Sequence, residues 1–261
     1  MIDKKLTPYI AVLPATEEEY DKALHLSRRL QIPMTEGKTE KYDLLLLCSG
    51  QGLAIIQTGK KRPGPVMVDL VSPTMEYRRR HGGGRSQPMA RAIGLKGGQQ
   101  PTIIDATAGF GRDAFILAHL GCYVHIIERS PVIGVLLEDG LQRARQNPEA
   151  AVIINQRLKL TIGDSRDILP NIKAAERPDV IYLDPMYPHR TKSSLAKKEM
   201  RILRALAGDD QDAPSLLETA LACARNRVVV KRPRLATAIK GMPPTTVITS
   251  KNSRYDIYLI H

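Results

Sequence analysis

Tryptophan is absent from the 261 residues, and phenylalanine occurs only twice. A chain this poor in large planar rings is not equipped to wrap a single strand by repeated base stacking, as an OB-fold does. Cysteine is scarce as well: Cys48, Cys122 and Cys223 are odd in number and far apart. They form neither a disulfide framework nor a metal-ligand spacing, so reduced, buried thiols and no metal are expected. No apolar run approaches the roughly 18 residues of a membrane span. Residues Met1 to Pro8 lack an apolar h-region, so no secretory signal and a cytoplasmic location are expected. There is no internal repeat and no low-complexity segment.

Acid is the other deficit. Asp and Glu number 27 against 39 Lys and Arg, a net charge of +12, which suggests a polyanionic partner. The basic residues are clustered. Arg78-Arg79-Arg80-His81 precedes Gly82-Gly83-Gly84-Arg85, and Lys231-Arg232-Pro233-Arg234 follows Val228-Val229-Val230. Lys192, Lys197, Lys198, Arg201 and Arg204 form a third group. Arg78, Arg79, Arg80, Arg85, Lys231, Arg232 and Arg234 are expected to meet nucleic-acid phosphates, contacts that position a nucleic acid without reading its sequence.

Residues 1–75 read as a small α+β domain. Tyr9 to Leu13 is a strand, Thr16 and Glu19 have capping-box spacing for a helix through Leu30, and Ser49-Gly50-Gln51-Gly52 joins two apolar strands as a hairpin. Val66 to Leu70 is a possible further strand. Residues 76–98 read as a basic, Gly-rich linker, with a flexible glycine turn and a short helix from Met89 to Leu95. Beyond residue 99 strands and helices alternate, which implies a parallel sheet with helices on both faces.

Within that alternation, strands end in acids. Thr102-Ile103-Ile104 ends at Asp105 and runs into Ala106-Thr107-Ala108-Gly109-Phe110-Gly111, where glycines allow a tight turn and close approach of a ligand to the backbone. A second strand ends at Glu128, about 20 residues on, the geometry for gripping ribose hydroxyls. A third ends at Asp164-Ser165. A fourth, Val180 to Leu183, leads into Asp184-Pro185-Met186-Tyr187-Pro188. Open α/β sheets bind ligands at this edge. Asp184 can accept a hydrogen bond from an exocyclic amine, Pro185 fixes the backbone, and Tyr187 offers a ring for a base to stack on. Taken singly, such an acid is more often a helix cap or a solvated loop residue; four strands in order, each ending in an acid, are much harder to assign to chance.

The spacing Asp105-x-x-x-Gly109-x-Gly111 resembles the first motif of S-adenosylmethionine (SAM) methyltransferases. DATAGFGRDAF, IIERSP, GDS and LDPMYPHR, flanked by RRRHGGGRSQP and VVVKRPR, resemble the RsmJ (YhiQ) family more specifically, from about Asp69 to the end. Those proteins methylate a guanine exocyclic N2 of bacterial 16S ribosomal RNA with SAM. The resemblance implies a Rossmann-like α/β SAM methyltransferase fold over residues 99–261, a mostly parallel seven-stranded sheet with an antiparallel C-terminal hairpin. It implies cofactor contacts at Arg112, Asp113, Glu128, Arg129, Asp164, Ser165 and Asp184, beside Asp105, Gly109 and Gly111. Asp184, Pro185 and Tyr187 are the expected catalytic residues, with His189 a weaker candidate relay. The small ribosomal subunit is the expected partner. Methylation of adenine N6 or cytosine N4, and a non-catalytic assembly role, remain open from the residues alone.

Overall fold

The computed structural model describes residues 8–37, 39–59, 64–186, 196–208 and 212–260. It opens with β1 (Ile10–Pro14), α1 (Tyr20–Leu30), β2 (Leu44–Ser49) and β3 (Gly52–Gln57). β1 pairs with β2 in parallel and β2 with β3 as an antiparallel hairpin, giving one three-stranded sheet. Gly52 closes the hairpin at φ +111°, a region open to glycine. The capping box ahead of α1 forms differently from expectation. Thr16 Oγ1 bonds the Glu19 carboxylate at 2.5 Å instead of a backbone N–H, and residues Glu17–Glu19 make a 3-10 turn first.

The expected linker is helical. α2 (Pro73–His81) starts behind Ser72, whose hydroxyl accepts from Met75 N–H, with Pro73 in the first turn where a missing donor costs nothing. α3 (Pro88–Ala92) follows a tight glycine turn and buries Met89, Ala90 and Ala92. The basic residues that suggested a loop occupy the last turn of α2, where cations complement the helix dipole.

The remainder contains β4 (Thr102–Asp105), α4 (Arg112–His119), β5 (Tyr123–Glu128), α5 (Pro131–Ala144), α6 (Pro148–Arg157), β6 (Leu158–Ile162), α7 (Ser165–Ile168) and β7 (Val180–Leu183). Then come α8 (Ala196–Ala207), α9 (Ala213–Cys223), β8 (Arg227–Pro233), β9 (Thr246–Thr249) and β10 (Ser253–Leu259). The sheet order is β6-β5-β4-β7-β8-β10-β9, with β6 through β8 parallel and β10 antiparallel to both neighbours. This is the Rossmann-like arrangement implied by the motifs. The chain winds outward from β4 through β5 to β6, then returns to lay β7 on the other side of β4. That reversal opens a crevice at the carboxyl ends of β4 and β7.

Both faces of the sheet are covered. Ile103, Ile126 and Tyr182 pack toward α4 and α5, while Ile104, Ile181 and Val228 pack toward α9. Each fully buried aliphatic chain contributes roughly 1.5–3 kcal/mol. The small sheet shares the first of these cores, for Val12, Leu46 and Ile55 belong to the same buried cluster as Leu136 and Leu141. Polar contacts reinforce the junction: Arg29 forms a two-pronged pair with Glu138, and Arg143 donates to the carbonyl of Val68 at 2.6 Å. Val66 makes a single bridge to Ile55, residues 67–70 form no strand, and the Val68 carbonyl accepts from Arg143 of α5. No helix among the described residues is long and apolar enough to cross a membrane.

Gly140 is the closest point of that junction. A Cβ there would lie 2.5 Å from Val68 Cγ1 and 2.9 Å from the Val68 carbonyl oxygen. Alanine is favoured over glycine within a helix by up to about 1 kcal/mol, so propensity and packing oppose each other. Packing should win, because a β-branched side chain and a backbone carbonyl cannot yield cheaply. Gly140→Ala is expected to lose about 1–3 kcal/mol in denaturant melts; unchanged or increased stability would show that the junction is loose.

Candidate active site

The turn after β4 is fixed by its glycines and by a buried carboxylate. Gly109 and Gly111 sit at φ +55° and +68°, and a Cβ on Gly111 would meet Leu137 Cδ1 at 2.8 Å. The Gly109 N–H donates to Glu128 Oε2, and the Ser130 N–H donates to Glu128 Oε1, both at 2.8 Å. Glu128 therefore ties the turn to the end of β5. Ser165 Oγ donates to the Ala106 carbonyl at 2.7 Å and ties the same turn to the end of β6. A Cβ built on Gly109 would touch Leu203 of α8 at 3.9 Å, an ordinary van der Waals contact.

Gly109 lines a cleft of about 490 Å³, walled by the turn, the strand ends and α8. Asp105, Glu128, Asp164 and Asp184 reach it from four successive parallel strand ends, and Phe110, Met200 and Leu203 supply apolar surface. Two arginines named by the resemblance brace the wall. Arg112 forms a two-pronged pair with Glu199 of α8 at 2.7 and 2.9 Å. Arg129 donates to Asp212 and to the Ala207 carbonyl at the end of the same helix. Asp164 caps α7 and accepts from Arg166; the Arg166 hydrogen bond, opposed by partial burial, holds its carboxyl below the usual range.

At the carboxyl end of β7 is a denser network. The Asp184 N–H donates to Thr107 Oγ1 at 2.6 Å, which ties the Asp-Pro segment to the glycine turn. Lys231 Nζ lies 2.8 Å from Asp184 Oδ2 and 2.7 Å from Asp113 Oδ2. Asp113 also accepts from Tyr182 Oη at 2.8 Å and from Arg78 Nη2 at 2.5 Å. Burial alone would raise Asp113, but Lys231 and Arg78 outweigh it and hold the carboxyl far below the usual range. Asp184 shares only Lys231, and desolvation by burial, with the charge on Asp113 added, leaves it a weaker acid than normal. Its side chain is still 40% exposed to the cleft. Burial also acts to lower Lys231, yet its two carboxylates raise it, so it stays charged. Asp105, 2% exposed, is pushed up to about 8, first by burial and then by Asp113.

Thus Asp105, Gly109, Arg112, Asp113, Glu128, Arg129, Asp164, Ser165, Asp184 and Pro185 surround one cleft, with Gly111 forming the turn beneath it. Tyr187 and His189 lie outside the described residues. Most of the basic residues expected at phosphates are committed internally. Arg78 and Lys231 line the cleft, Arg79 is held by Glu76 and Glu149, Arg85 donates to the carbonyls of Lys96 and Leu120, and Arg232 is 4% exposed. Arg80, paired with Glu76 but 67% exposed, and Arg234 face solvent. Sequence reasoning missed Thr107, Tyr182 and the inward role of Lys231. Parallel register pairs Leu183 with Val230, which sets Asp184 beside Lys231. A tyrosine in an otherwise aliphatic buried strand also calls for a hydroxyl partner.

The family model described as "Putative SAM-dependent methyltransferase" (SAM_MT) matches residues 25–260. The chain belongs to this family. Two relatives named ribosomal RNA small subunit methyltransferase J make the assignment narrower. One, from Thioalkalivibrio sulfidiphilus, is 48% identical over 250 residues, covering 96% of this chain and 97% of the relative. The other, from Nitrosococcus oceani, is 52% identical over 246 residues, covering 94% and 96%. The crystal structure of a SAM-dependent methyltransferase from Neisseria gonorrhoeae is 36% identical, covers 95% of both chains and has a TM-score of 0.73.

As a SAM-dependent methyltransferase, the protein uses S-adenosylmethionine as its cofactor, and the cleft suits it. Acceptor carboxylates at successive strand ends match the ribose hydroxyls, an adenine amine and a cationic sulfonium. Gly109 lines the cleft at φ +55°, so its backbone faces a ligand there without a side chain.

The proton on Asp105 gives a pH signature. Its ordinary value is 3.8, and the fold raises it to about 8. Between those values the folded chain binds more protons than the unfolded chain, so this group makes stability fall as pH rises. Asp105→Asn keeps the acceptor for the Thr107 N–H and removes the titration. Urea melts at a series of pH values from about 5 to 8 should show a shallower fall for this variant than for the wild type. Parallel curves would mean that Asp105 is ionised throughout.

Proposed function

We propose that this chain methylates the exocyclic N2 of a guanosine in 16S ribosomal RNA. The observation that carries the reading is the placement of Asp184. Its carboxylate projects into the cleft at the sheet's switch point, in the same cavity as Glu128 and Gly109. The relatives' shared name, ribosomal RNA small subunit methyltransferase J, supplies the substrate class. The net charge of +12, exposed Arg80 and Arg234, and an exposed Tyr77 ring stacked on His81 at 4.6 Å suit an RNA partner.

When bound, S-adenosylmethionine supplies a methyl carbon made electrophilic by its sulfonium. Asp105, Glu128, Asp164 and Ser165 would hold it. The protein's remaining task is alignment and exclusion of water. Asp184 accepts a hydrogen bond from the guanine amine and so turns the nitrogen lone pair toward the cleft. Once methylated, the amine is a strong acid, and Asp184 takes its surplus proton. The Pro185 carbonyl is a second acceptor. A guanine held within a duplex must first be extruded.

Asp184→Ala is expected to lower methyl transfer to ribosomal RNA by about 10²–10⁴-fold, read by nucleoside mass spectrometry, while SAM still raises the melting temperature. Near wild-type turnover would remove Asp184 from the chemistry. Arg80→Ala combined with Arg234→Ala should reduce the slope of log affinity against log salt by about one for each phosphate that is no longer neutralised. An unaltered slope would place both residues outside the RNA interface.

A further inference from the structure

Lys231 looks at first like part of a basic surface patch, since Arg232, Pro233 and Arg234 follow it. Its geometry says otherwise. The ammonium is wedged between Asp113 Oδ2 and Asp184 Oδ2, with a side chain 24% exposed. An ammonium has three donors, and two are spent on these carboxylates. Asp113 has its own cation in Arg78, on its other oxygen, and a hydroxyl donor in Tyr182. Asp184 Oδ1 has no partner among the described residues, and the side chain, 40% exposed, lines the cleft.

We infer that Lys231 is a positioning residue for methyl transfer: it holds Asp184 by one oxygen, keeps that carboxylate ionised, and leaves the second oxygen for the substrate amine. This rests on the reading that Asp184 receives the amine's proton. The groups facing Asp184 are few. Lys231 comes from β8, Asp113 from α4, Asp105 from β4, Arg78 from α2, Tyr182 from β7 and Tyr255 from β10. Burial and the charge on Asp113 press Asp184 toward its neutral form, and Lys231 is the cation in contact with it. A neutral Asp184 would still touch the amine, but it could not take a proton. In the transfer, the N–C bond forms as the C–S bond breaks; the surplus proton then passes from nitrogen to Asp184, and Lys231 gives up none.

The competition between Asp113 and Asp184 for one ammonium predicts opposite responses to two substitutions. Single-turnover methyl transfer to ribosomal RNA would be followed against pH for the wild type, Lys231→Met, Lys231→Arg and Asp113→Asn. In K231M the acid limb should move up by about one to three pH units, with the rate recovering as pH rises and RNA affinity unchanged. K231R should restore most of the neutral-pH rate. D113N frees the ammonium for Asp184 alone and should move the limb down by about one unit. An unmoved limb in K231M, with weaker RNA binding and a flatter salt dependence, would make Lys231 a phosphate contact and overturn the inference. Should K231M fail to fold, D113N decides: an unmoved or raised limb is equally fatal. If the wild type itself leaves guanine unmethylated, it is the proposed function that fails, and that outcome is separate from any variant's pH profile.

Discussion

Four parallel strands end at a common edge, and an acid stands at each end. Placing carboxylates side by side in a crevice of low dielectric is unfavourable unless each finds a partner or keeps its proton. Here the four strand-end acids and Asp113 meet that demand in different ways. Glu128 accepts from two backbone N–H groups, and Asp164 accepts from Arg166. Asp105 retains its proton. Asp113 is held ionised between Arg78 and Lys231. Asp184 draws on what is left of Lys231 and so remains accessible and weakly acidic. A site that must accept one proton after methyl transfer needs one such group among neighbours that are already settled.

The same economy governs the basic residues. A net charge of +12 suggested a surface devoted to phosphate, yet many of the arginines hold the molecule together. Arg29 ties α1 to α5, Arg143 of α5 holds the Val68 carbonyl, Arg112 and Arg129 brace α8 over the cleft, and Arg78 enters the carboxylate network. Arg guanidinium groups suit this work because their planar forks match carboxylates and carbonyls with two bonds at once. The remaining exposed cations, such as Arg80 and Arg234, are where contact with RNA is proposed.

Much of this was legible in the chain. Apolar runs ending in Asp105, Glu128, Asp164 and Asp184 marked the parallel strands and their functional edge, since periodicity and strand ends are local properties. The closing hairpin and the glycine turn were visible for the same reason. Helix α2 was hidden because its arginines resembled a loop, although Ser72-Pro73 is a cap followed by a first-turn proline. Asn147-Pro148 is the same signal for α6, and it too went unread. The inward turn of Lys231 was hidden for a different reason. It depends on the register of β8 against β7 and on the approach of α4, which are long-range facts that no local pattern encodes.

The most direct measurement is a crystal structure with S-adenosylhomocysteine. The account requires the ligand in the crevice between Gly109 and Glu128, its ribose toward Glu128 and its sulfur toward Asp184. A ligand bound elsewhere, or one whose sulfur points away from Asp184, would contradict it.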